Sequence, residues 1–314
     1  MRRCLYCYQP LNEAVFEFHG ICSGKIFGSV VPPELPYNED QMLSLAGEVI
    51  KSQTSVTGAQ PKLSLHLENL TKKDEPQRFT IVGLWGGYIL KPPATRYPFL
   101  PELEDLTMHL AGISGMDVVP HSLIRLSSGQ LSYITRRIDR SGTAKIHMED
   151  MCQLTERLTE HKYNGSHEQV GKAIIRYSAT PGLDLVNFFE QVLFSFLTGN
   201  ADMHLKNFSL INNPDLGYIL SPAYDMVASS LVVEGDNEEL ALTLNGKKKN
   251  IRKRDFMEPM NRFKIDARAI ENIFNKMQAS IDKWHDFIDI SFLPDEMKIS
   301  YHNLIKERAG RIYG

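Results

Sequence analysis

Alternation of apolar and polar residues marks the first half of the chain. A period of two is typical of strands that bury one face. Short apolar runs of this kind are separated by polar or glycine-containing turns and lie at Leu63–Leu67, Phe79–Leu84, Tyr88–Leu90, Val118–Leu126 and Leu131–Ile138. Residues 101–113 instead carry leucines and an isoleucine at helical spacing. The pattern predicts mostly strands with one helix between residues 54 and 140.

Helical spacing prevails after residue 147. Helices are predicted at 148–158, at 167–177 and around 185–197, where the apolar positions are too dense for a single stripe. A helix that is apolar nearly all round lies buried inside its domain. Short strands are predicted at Phe208–Ile211, Tyr218–Leu220 and Leu240–Leu244, and residues 256–313 are predicted to be helical. The chain should therefore adopt an α+β fold with a strand-rich N-lobe and a helical C-lobe.

Boundaries are predicted near residues 30 and 140. Residues 1–30 form a small Cys/His module, and a proline-rich link follows it. Residues 31–140 form the strand-rich N-lobe, and residues 141–314 form the helical C-lobe.

Composition narrows the class of protein. The 314 residues are 42% hydrophobic and carry a formal net charge of −3, so no overall positive field attracts nucleic acid. The chain lacks a long apolar run and an apolar signal segment. We therefore expect a soluble cytoplasmic protein that does not enter a membrane.

Three of the four cysteines lie close to the first residue. The pattern Cys4-x₂-Cys7-x₁₁-His19-x₂-Cys22 fits a tetrahedral zinc site. Such a site would be structural, because all four ligands come from the protein. In the alternative interpretation these side chains pack a short hairpin as small hydrophobic groups. Both interpretations stay open at this point.

An aspartate followed five residues later by an asparagine stands at the end of the dense apolar helix. These residues are Asp202 and Asn207, and Asp225 follows in a turn. In protein-kinase-type sites one Asp accepts the proton of the attacking hydroxyl, while an Asn and a second Asp hold Mg²⁺. Asp202 is therefore the candidate base, and Asn207 and Asp225 are the candidate ligands. Each residue alone could stabilise a turn, but the joint spacing favours catalysis.

Two more polar residues belong to the same loop. His204 is interpreted as an anchor that orders the loop by hydrogen bonding. Lys206 either stabilises the transferring phosphoryl group or is solvated.

A lysine at the end of an apolar run supplies the other half of a kinase site. Prolines follow Lys91 directly, so it should end its strand. Kinases pair such a lysine with a helix glutamate and use it to bind ATP phosphates. Glu104 is the candidate partner, and Glu102 is its competitor.

Taken together, these motifs resemble the HipA family of serine/threonine kinase toxins. The matching segments follow the family order between about residues 50 and 230. They are Ser-Val-Thr-Gly-Ala-Gln-Pro-Lys at 55–62, Ile-Leu-Lys-Pro at 89–92, Glu-x₃-Met-x-Leu-Ala at 104–111, Arg-Ile-Asp-Arg at 137–140, His-x-Glu-Asp-x₂-Gln at 147–153, Asn-Ala-Asp-x-His-x-Lys-Asn-Phe-Ser at 200–209 and Pro-x-Tyr-Asp at 222–225. The resemblance implies a bilobal protein-kinase-like fold with ATP between the lobes.

The resemblance also implies roles for residues that the pattern alone leaves undefined. The loop Ser55, Val56, Thr57 and Gly58 would face the ATP phosphates, and Ser55 and Thr57 would be autophosphorylation sites. A phosphate there adds about −1.5 to −2 charges and should inhibit the enzyme.

The predicted adenine contacts come from the segment that should join the lobes. Backbone groups near Arg136 and Ile138 would meet the adenine edge, although the family usually has an acidic residue at position 136. Asp139 would either meet the ribose or cap a helix.

The predicted function is that of an ATP- and Mg²⁺-dependent serine/threonine protein kinase in a toxin–antitoxin system. Its substrate would be a translation component such as an aminoacyl-tRNA synthetase. The alternatives are a kinase-fold pseudoenzyme or interaction module, and a small-molecule kinase. The set Lys91, Asp202, Asn207 and Asp225 argues against a pseudoenzyme.

Partners are predicted from the position of the phosphate-facing loop. Long members of the family carry about a hundred residues before the kinase body, the size of a small domain. Here the loop begins at Ser55, so the chain resembles the short HipT-like toxins of three-gene systems. We expect a small HipS-like partner on the N-lobe and a helix-turn-helix repressor antitoxin, with DNA contacted only through the repressor.

Overall fold

The computed structural model describes residues 2–12, 16–42, 44–45, 62–68, 77–82, 86–142, 144–233, 235 and 237–314. The chain forms two compact units. The first comprises Met1–Asp105, Val119–Lys145 and Ile290–Phe292, and the second comprises Leu106–Val118, Ile146–Asp289 and Leu293–Gly314.

An antiparallel five-stranded sheet forms the body of the first unit. Its strands, in the sheet order β2-β1-β3-β5-β4, are β1 (Leu63–Glu68), β2 (Arg78–Val82), β3 (Tyr88–Lys91), β4 (His121–Arg125) and β5 (Leu131–Arg136). Each strand lies on an apolar run that predicted it. Alternate side chains of β1 face the core, with Leu63 and Leu65 fully buried. The short strands β6 (Arg140–Ser141) and β7 (Ala144–Lys145) pair with each other beyond this sheet.

Helices α1 and α2 accompany the sheet. Helix α1 (Gly20–Phe27) ends at Gly28, which adopts the left-handed conformation with φ 76°. The ring of Phe27 packs edge-on against Phe79 of β2. Helix α2 (Leu100–Ile113) agrees with the helix predicted at 101–113, and its residues up to Asp105 belong to the first unit.

A buried helix forms the centre of the second unit. Helix α5 (Pro181–Thr198) buries nearly every side chain from Leu185 onward, as its dense apolar sequence predicted. The surrounding helices are α3 (Met151–Leu154), α4 (His167–Tyr177), α6 (Lys253–Arg262), α7 (Ala267–Gln278), α8 (Ile281–Asp289) and α9 (Asp295–Tyr313). Strands β8 (Met148–Asp150), β9 (Ser209–Asn213) and β10 (Gly217–Leu220) form an antiparallel sheet in the order β10-β9-β8. No helix within the described ranges has both the length and the apolar character to cross a bilayer.

Two predictions of secondary structure were wrong. The helix predicted at 148–158 begins only at Met151, because residues 148–150 pair with β9 and Asp150 forms a capping box with Gln153. The strand predicted at Leu240–Leu244 is instead a compact turn structure with isolated bridges. Its Asn245-Gly246 pair has φ angles of 50° and 77°, which closes a tight turn between Leu244 and Lys247 without extending a ladder.

Candidate active site

The predicted phosphate anchor is an ion pair inside the first unit. Strand β3 ends at Lys91, whose Nζ donates to Oε1 of Glu104 on α2. Lys91 is 4% exposed and Glu104 is 2% exposed, and a charge this deeply buried needs an opposite charge. Lys91 Nζ also lies 5.3 Å from the ring centroid of Tyr133. Burial raises the pKa of the competing candidate, Glu102, to about 7, so Glu102 is only partly ionised at neutral pH.

The segment predicted to meet adenine is partly engaged elsewhere. The backbone N–H of Arg136 donates to the Pro120 carbonyl at 2.9 Å, and that of Arg137 donates to Gly87 at 2.8 Å. The backbone N–H of Arg136 is therefore not available to donate to adenine. Ile138 is thus the stronger candidate for a backbone hydrogen bond to adenine.

Asp139 does not cap a helix, contrary to one of its predicted roles. It accepts from Arg137 Nε at 2.9 Å and from Arg140 Nη1 at 2.8 Å. Burial raises the pKa of Asp139, but the hydrogen bonds and charges of the two arginines outweigh it and hold the pKa below its usual value. Asp139 thus fixes the turn that follows β5.

The structure does not describe the predicted phosphate-facing loop. Ser55, Val56, Thr57 and Gly58 lie outside the described residues.

Gly199 sets the starting point of residues 200–209 in the second unit, which carry the candidate base Asp202 and are called the catalytic loop below. It ends α5 with φ 75°, and its N–H donates to Phe196 while the N–H of Asn200 donates to Ser195 at 2.8 Å. These two bonds define a Schellman motif. A Cβ at position 199 would lie 2.4 Å from Leu304 Cδ2, so the site also requires glycine for space. The loop therefore leaves a rigid helix in a fixed direction.

Asp202 and Asn207 are joined by their own loop. The Asn207 Nδ2 donates to the Asp202 carbonyl at 3.2 Å, which leaves the Asn207 side-chain oxygen as the atom suited to a cation. A carboxylate oxygen of Asp202 accepts from the Tyr163 hydroxyl at 2.6 Å. Tyr163 lies 39 residues before Asp202, so no local sequence pattern indicated this contact.

His204 is a buried residue of the same loop. Burial lowers its pKa to about 4, while the charges of Asp202 and Asp225 act in the opposite direction. The ring packs edge-on against Tyr163 at 5.0 Å, and Nδ1 has no hydrogen-bond partner in the described structure. His204 orders the loop through this contact and through its backbone N–H, which donates to Asp202 at 2.8 Å.

The turn that carries Asp225 is tied to the catalytic loop by its neighbour Tyr224. The Tyr224 hydroxyl donates to the Lys206 carbonyl at 2.9 Å and lies 2.5 Å from Ser209 Oγ. Asp225 itself has φ 58°, a left-handed conformation that aspartate tolerates better than most residues. Such conformations persist where the surrounding structure fixes them, often at functional sites.

Lys206 is ion-paired as well as partly exposed. Its Nζ lies 3.3 Å from Asp150 Oδ2, and its side chain is 36% exposed. Asp150 also starts α3, so it positions Lys206 from a fixed helix end. This pair was missed from the sequence, although Asp150 stood in one of the quoted motifs.

The Cys/His cluster of the first unit is assembled as predicted from its spacing. Each of Cys4, Cys7, His19 and Cys22 offers one ligand atom, and these atoms lie within 4.8 Å of one another.

The catalytic-loop donors fit a hard divalent cation. Two carboxylates and an amide oxygen are ligands that Mg²⁺ prefers, and a neutral imidazole beside them adds no competing positive charge.

Comparison with known proteins places this chain in a family. A Haemophilus influenzae protein named as a candidate kinase is 29% identical over 259 residues, which cover 76% of this chain and 72% of that protein. The Shewanella oneidensis serine/threonine-protein kinase toxin HipA is 28% identical over 215 residues, covering 62% of this chain and 47% of the toxin. The matched segment thus spans less than half of that toxin.

A solved structure agrees with the fold. The Shewanella oneidensis HipA chain, in its complex with HipB and operator DNA, superposes with a TM-score of 0.66 at 21% identity and covers 85% of this chain and 70% of that chain. This likeness confirms the bilobal, protein-kinase-like α+β fold. The profile of the HipA-like C-terminal domain matches residues 54–284, which include Lys91, Glu104, Asp202, Asn207 and Asp225. The chain therefore belongs to the family of proteins that carry the HipA-like C-terminal domain.

Proposed function

We propose that this protein is an ATP- and Mg²⁺-dependent serine/threonine protein kinase. The observation that carries the proposal is that Asp202, Asn207 and Asp225 lie on two segments joined by hydrogen bonds: Asn207 Nδ2 donates to the Asp202 carbonyl, and the hydroxyl of Tyr224, next to Asp225, donates to the Lys206 carbonyl. Family membership supports the same chemistry, since the named relatives are kinases.

Each residue has a defined task in this proposal. Lys91, held by Glu104, binds phosphate oxygens of ATP, and Asn207 and Asp225 are the ligands for Mg²⁺. When bound, Mg²⁺ would neutralise charge on the phosphates. Asp202 takes the proton from the substrate hydroxyl as that oxygen bonds to the γ-phosphorus and the bond to ADP breaks. The Tyr163 hydroxyl holds the Asp202 carboxylate in position for this transfer.

Lys206 is proposed to steady the transferring phosphoryl group. Asp150 holds its ammonium group at 3.3 Å from a carboxylate oxygen, and the side chain is exposed enough to turn toward a substrate.

The remaining nucleotide contacts come from residues near β5 and from the loop at 55–58. We assign the adenine contact to the backbone around Arg136 and Ile138, with Ile138 as the main donor, and the ribose side to Asp139. Ser55 and Thr57 are proposed autophosphorylation sites, and Val56 and Gly58 are proposed to line the phosphates with their backbone N–H groups.

The biological setting is proposed from the family. HipA of Shewanella oneidensis was solved with HipB and operator DNA, and we propose that a repressor of the helix-turn-helix class likewise brings this chain to DNA. A net charge of −3 supports DNA contact through a partner. A small HipS-like protein is the second proposed partner, and a translation component such as an aminoacyl-tRNA synthetase in the cytoplasm is the proposed substrate.

Phosphate transfer by the purified full chain tests the proposal. We expect labelled phosphate from [γ-³²P]ATP on the chain itself or on an added protein, only when Mg²⁺ is present. Asp202→Asn should keep its affinity for ATP and lose transfer by about 10²–10⁴-fold, the usual contribution of a general base. Asp215→Asn, an exposed aspartate in the β9–β10 turn, is the matched control and should transfer at the wild-type rate.

Other outcomes would point to the alternatives. Binding of ATP without transfer to any protein would favour a pseudoenzyme. Transfer to small hydroxyl compounds but never to protein would favour a small-molecule kinase. Mass spectrometry of the reacted chain identifies whether Ser55 or Thr57 carries the phosphate.

A further inference from the structure

The ligand atoms of the Cys/His cluster have the spacing of a metal site. The His19 Nδ1 lies 3.4 Å from Cys7 Sγ and 3.8 Å from Cys22 Sγ. Zinc bound at its usual distances to sulfur and nitrogen holds neighbouring tetrahedral ligand atoms about 3.5–3.8 Å apart. The two distances from His19 thus match a tetrahedral zinc site, and all four ligand atoms lie within 4.8 Å of one another.

The imidazole of His19 is oriented by a second contact. Its Nε2 lies 3.1 Å from the Pro10 carbonyl oxygen, so the proton on the ring belongs at Nε2 and donates there. The lone pair of Nδ1 is then directed at the sulfur atoms, as in metal-binding histidines whose other ring nitrogen is held by a carbonyl. Side chains that only filled space in a hairpin would need no such orientation.

The cysteine sulfurs are partly or fully enclosed, and one of them accepts a backbone hydrogen bond. The backbone N–H of His19 donates to Cys4 Sγ at 3.5 Å, and Cys4 is fully buried. Cys22 is 8% exposed, whereas Cys7 and His19 are half-buried. Three thiolates and one imidazole favour zinc over hard cations such as Mg²⁺, and four protein ligands leave no open position for catalysis.

The loop closed by these ligands contacts the sheet and helix α2. The Leu5 carbonyl accepts from the backbone N–H of Leu123 at 3.3 Å and from Ser122 Oγ at 3.1 Å, both on β4. The Tyr8 hydroxyl donates to Asp105 Oδ2 at 2.7 Å. Tyr8 has φ 62°, a conformation unfavourable for a bulky residue that the surrounding loop must impose.

We propose that Cys4, Cys7, His19 and Cys22 bind one structural Zn²⁺, and that this ion holds the loop of residues 4–8 against β4 and Asp105. Cys4 and Cys7 lie in the turn of this loop, whereas His19 and Cys22 lie at the start of α1. The ion would therefore join the loop to the helix. The proposal is independent of the kinase reaction.

Metal analysis of the full chain tests the proposal. Protein purified from zinc-supplemented cells without chelator should contain about one zinc per chain, the stoichiometry of a four-ligand structural site. Cys7→Ser and His19→Ala should lose it, whereas His19→Cys should retain it because four thiolates also bind zinc. Cys152→Ser is the matched control, since Cys152 is a buried free cysteine of the second unit and should leave the zinc content unchanged.

A second set of measurements uses wild-type protein, so the proposal can be tested even where the variants fail to fold. Chelation of wild-type protein should lower its melting temperature, and added Zn²⁺ should restore it. Replacement by Co²⁺ should give thiolate-to-cobalt charge-transfer absorption with the visible bands of a tetrahedral ion. Wild-type protein that contains no zinc, and whose melting temperature ignores both chelator and added Zn²⁺, would overturn the proposal and leave a hydrophobic hairpin.

Discussion

At the scale of single residues, two buried histidines of the second unit are uncharged. Burial lowers the pKa of His167 to about 3 and that of His204 to about 4. His167 is 1% exposed, lies between the rings of Phe188 and Phe208, and has no hydrogen-bond partner on either ring nitrogen in the described structure. Protonation therefore favours the unfolded chain, where histidine has its ordinary pKa near 6.5.

This depressed pKa predicts the pH dependence of stability. The contribution of the uncharged His167 to the free energy of unfolding is fully present above pH 6.5 and is lost as the pH falls toward 3. Between pH 7 and pH 5 wild type should lose roughly 2 kcal/mol more unfolding free energy than His167→Phe, measured by urea denaturation at both pH values. His161→Gln, a change at an exposed histidine, should keep the wild-type dependence. Equal losses in wild type and His167→Phe would show that His167 is not buried as an uncharged group.

Tyr224 shows how one hydroxyl connects two functional loops. Tyr224→Phe removes the bonds to the Lys206 carbonyl and to Ser209 Oγ, so we expect a loss of about 1–3 kcal/mol in unfolding free energy. The rate of phosphate transfer should fall while the affinity for ATP stays near wild type, because the bonds position the catalytic loop. Tyr218→Phe removes a surface hydroxyl that contacts His147 and should change neither quantity much. A Tyr224→Phe enzyme with wild-type kcat would contradict this positioning role.

At the scale of elements, the end of α5 determines where the catalytic loop starts. Gly199→Ala should destabilise the protein by about 1–3 kcal/mol, since alanine at φ 75° is strained and its methyl group would meet Leu304. Gly310→Ala is the matched control: it lies inside α9 with open space around it, and should raise stability by about 1 kcal/mol. Thermal unfolding of both variants checks the pair. If both substitutions were stabilising, the left-handed helix end at Gly199 would be wrong.

At the scale of the whole molecule, the proposed zinc site lies within one unit with the phosphate anchor. Tyr8 bonds to Asp105, the residue next to Glu104, and Glu104 holds Lys91. This prediction rests on the proposed ATP binding: removal of zinc should weaken the affinity for ATP about tenfold, which corresponds to ~1.4 kcal/mol. Isothermal titration with zinc-replete and zinc-depleted protein measures it.

A variant separates this effect from the anchor itself. Glu104→Gln should weaken ATP binding with the zinc content unchanged. If zinc removal lowers the melting temperature but leaves the affinity for ATP unchanged, the prediction is wrong and the metal only stabilises the loop.

The sequence by itself determined the five strands of the first unit's large sheet, the buried helix α5 and the family, because these depend on local periodicity and on motifs in fixed order. It also predicted Asp202, Asn207 and Asp225 as site residues from their spacing along the chain, and these stay predictions. Tertiary structure alone decided which residues far apart in the chain contact each other. Tyr163 donates to Asp202, Asp150 pairs with Lys206, and Tyr8 donates to Asp105. Contacts between residues far apart in the chain leave no periodic signal. The same reason explains the error at 148–150, where pairing with β9 overrode a helical pattern, and the error at 240–244, where apolar side chains are buried without a strand.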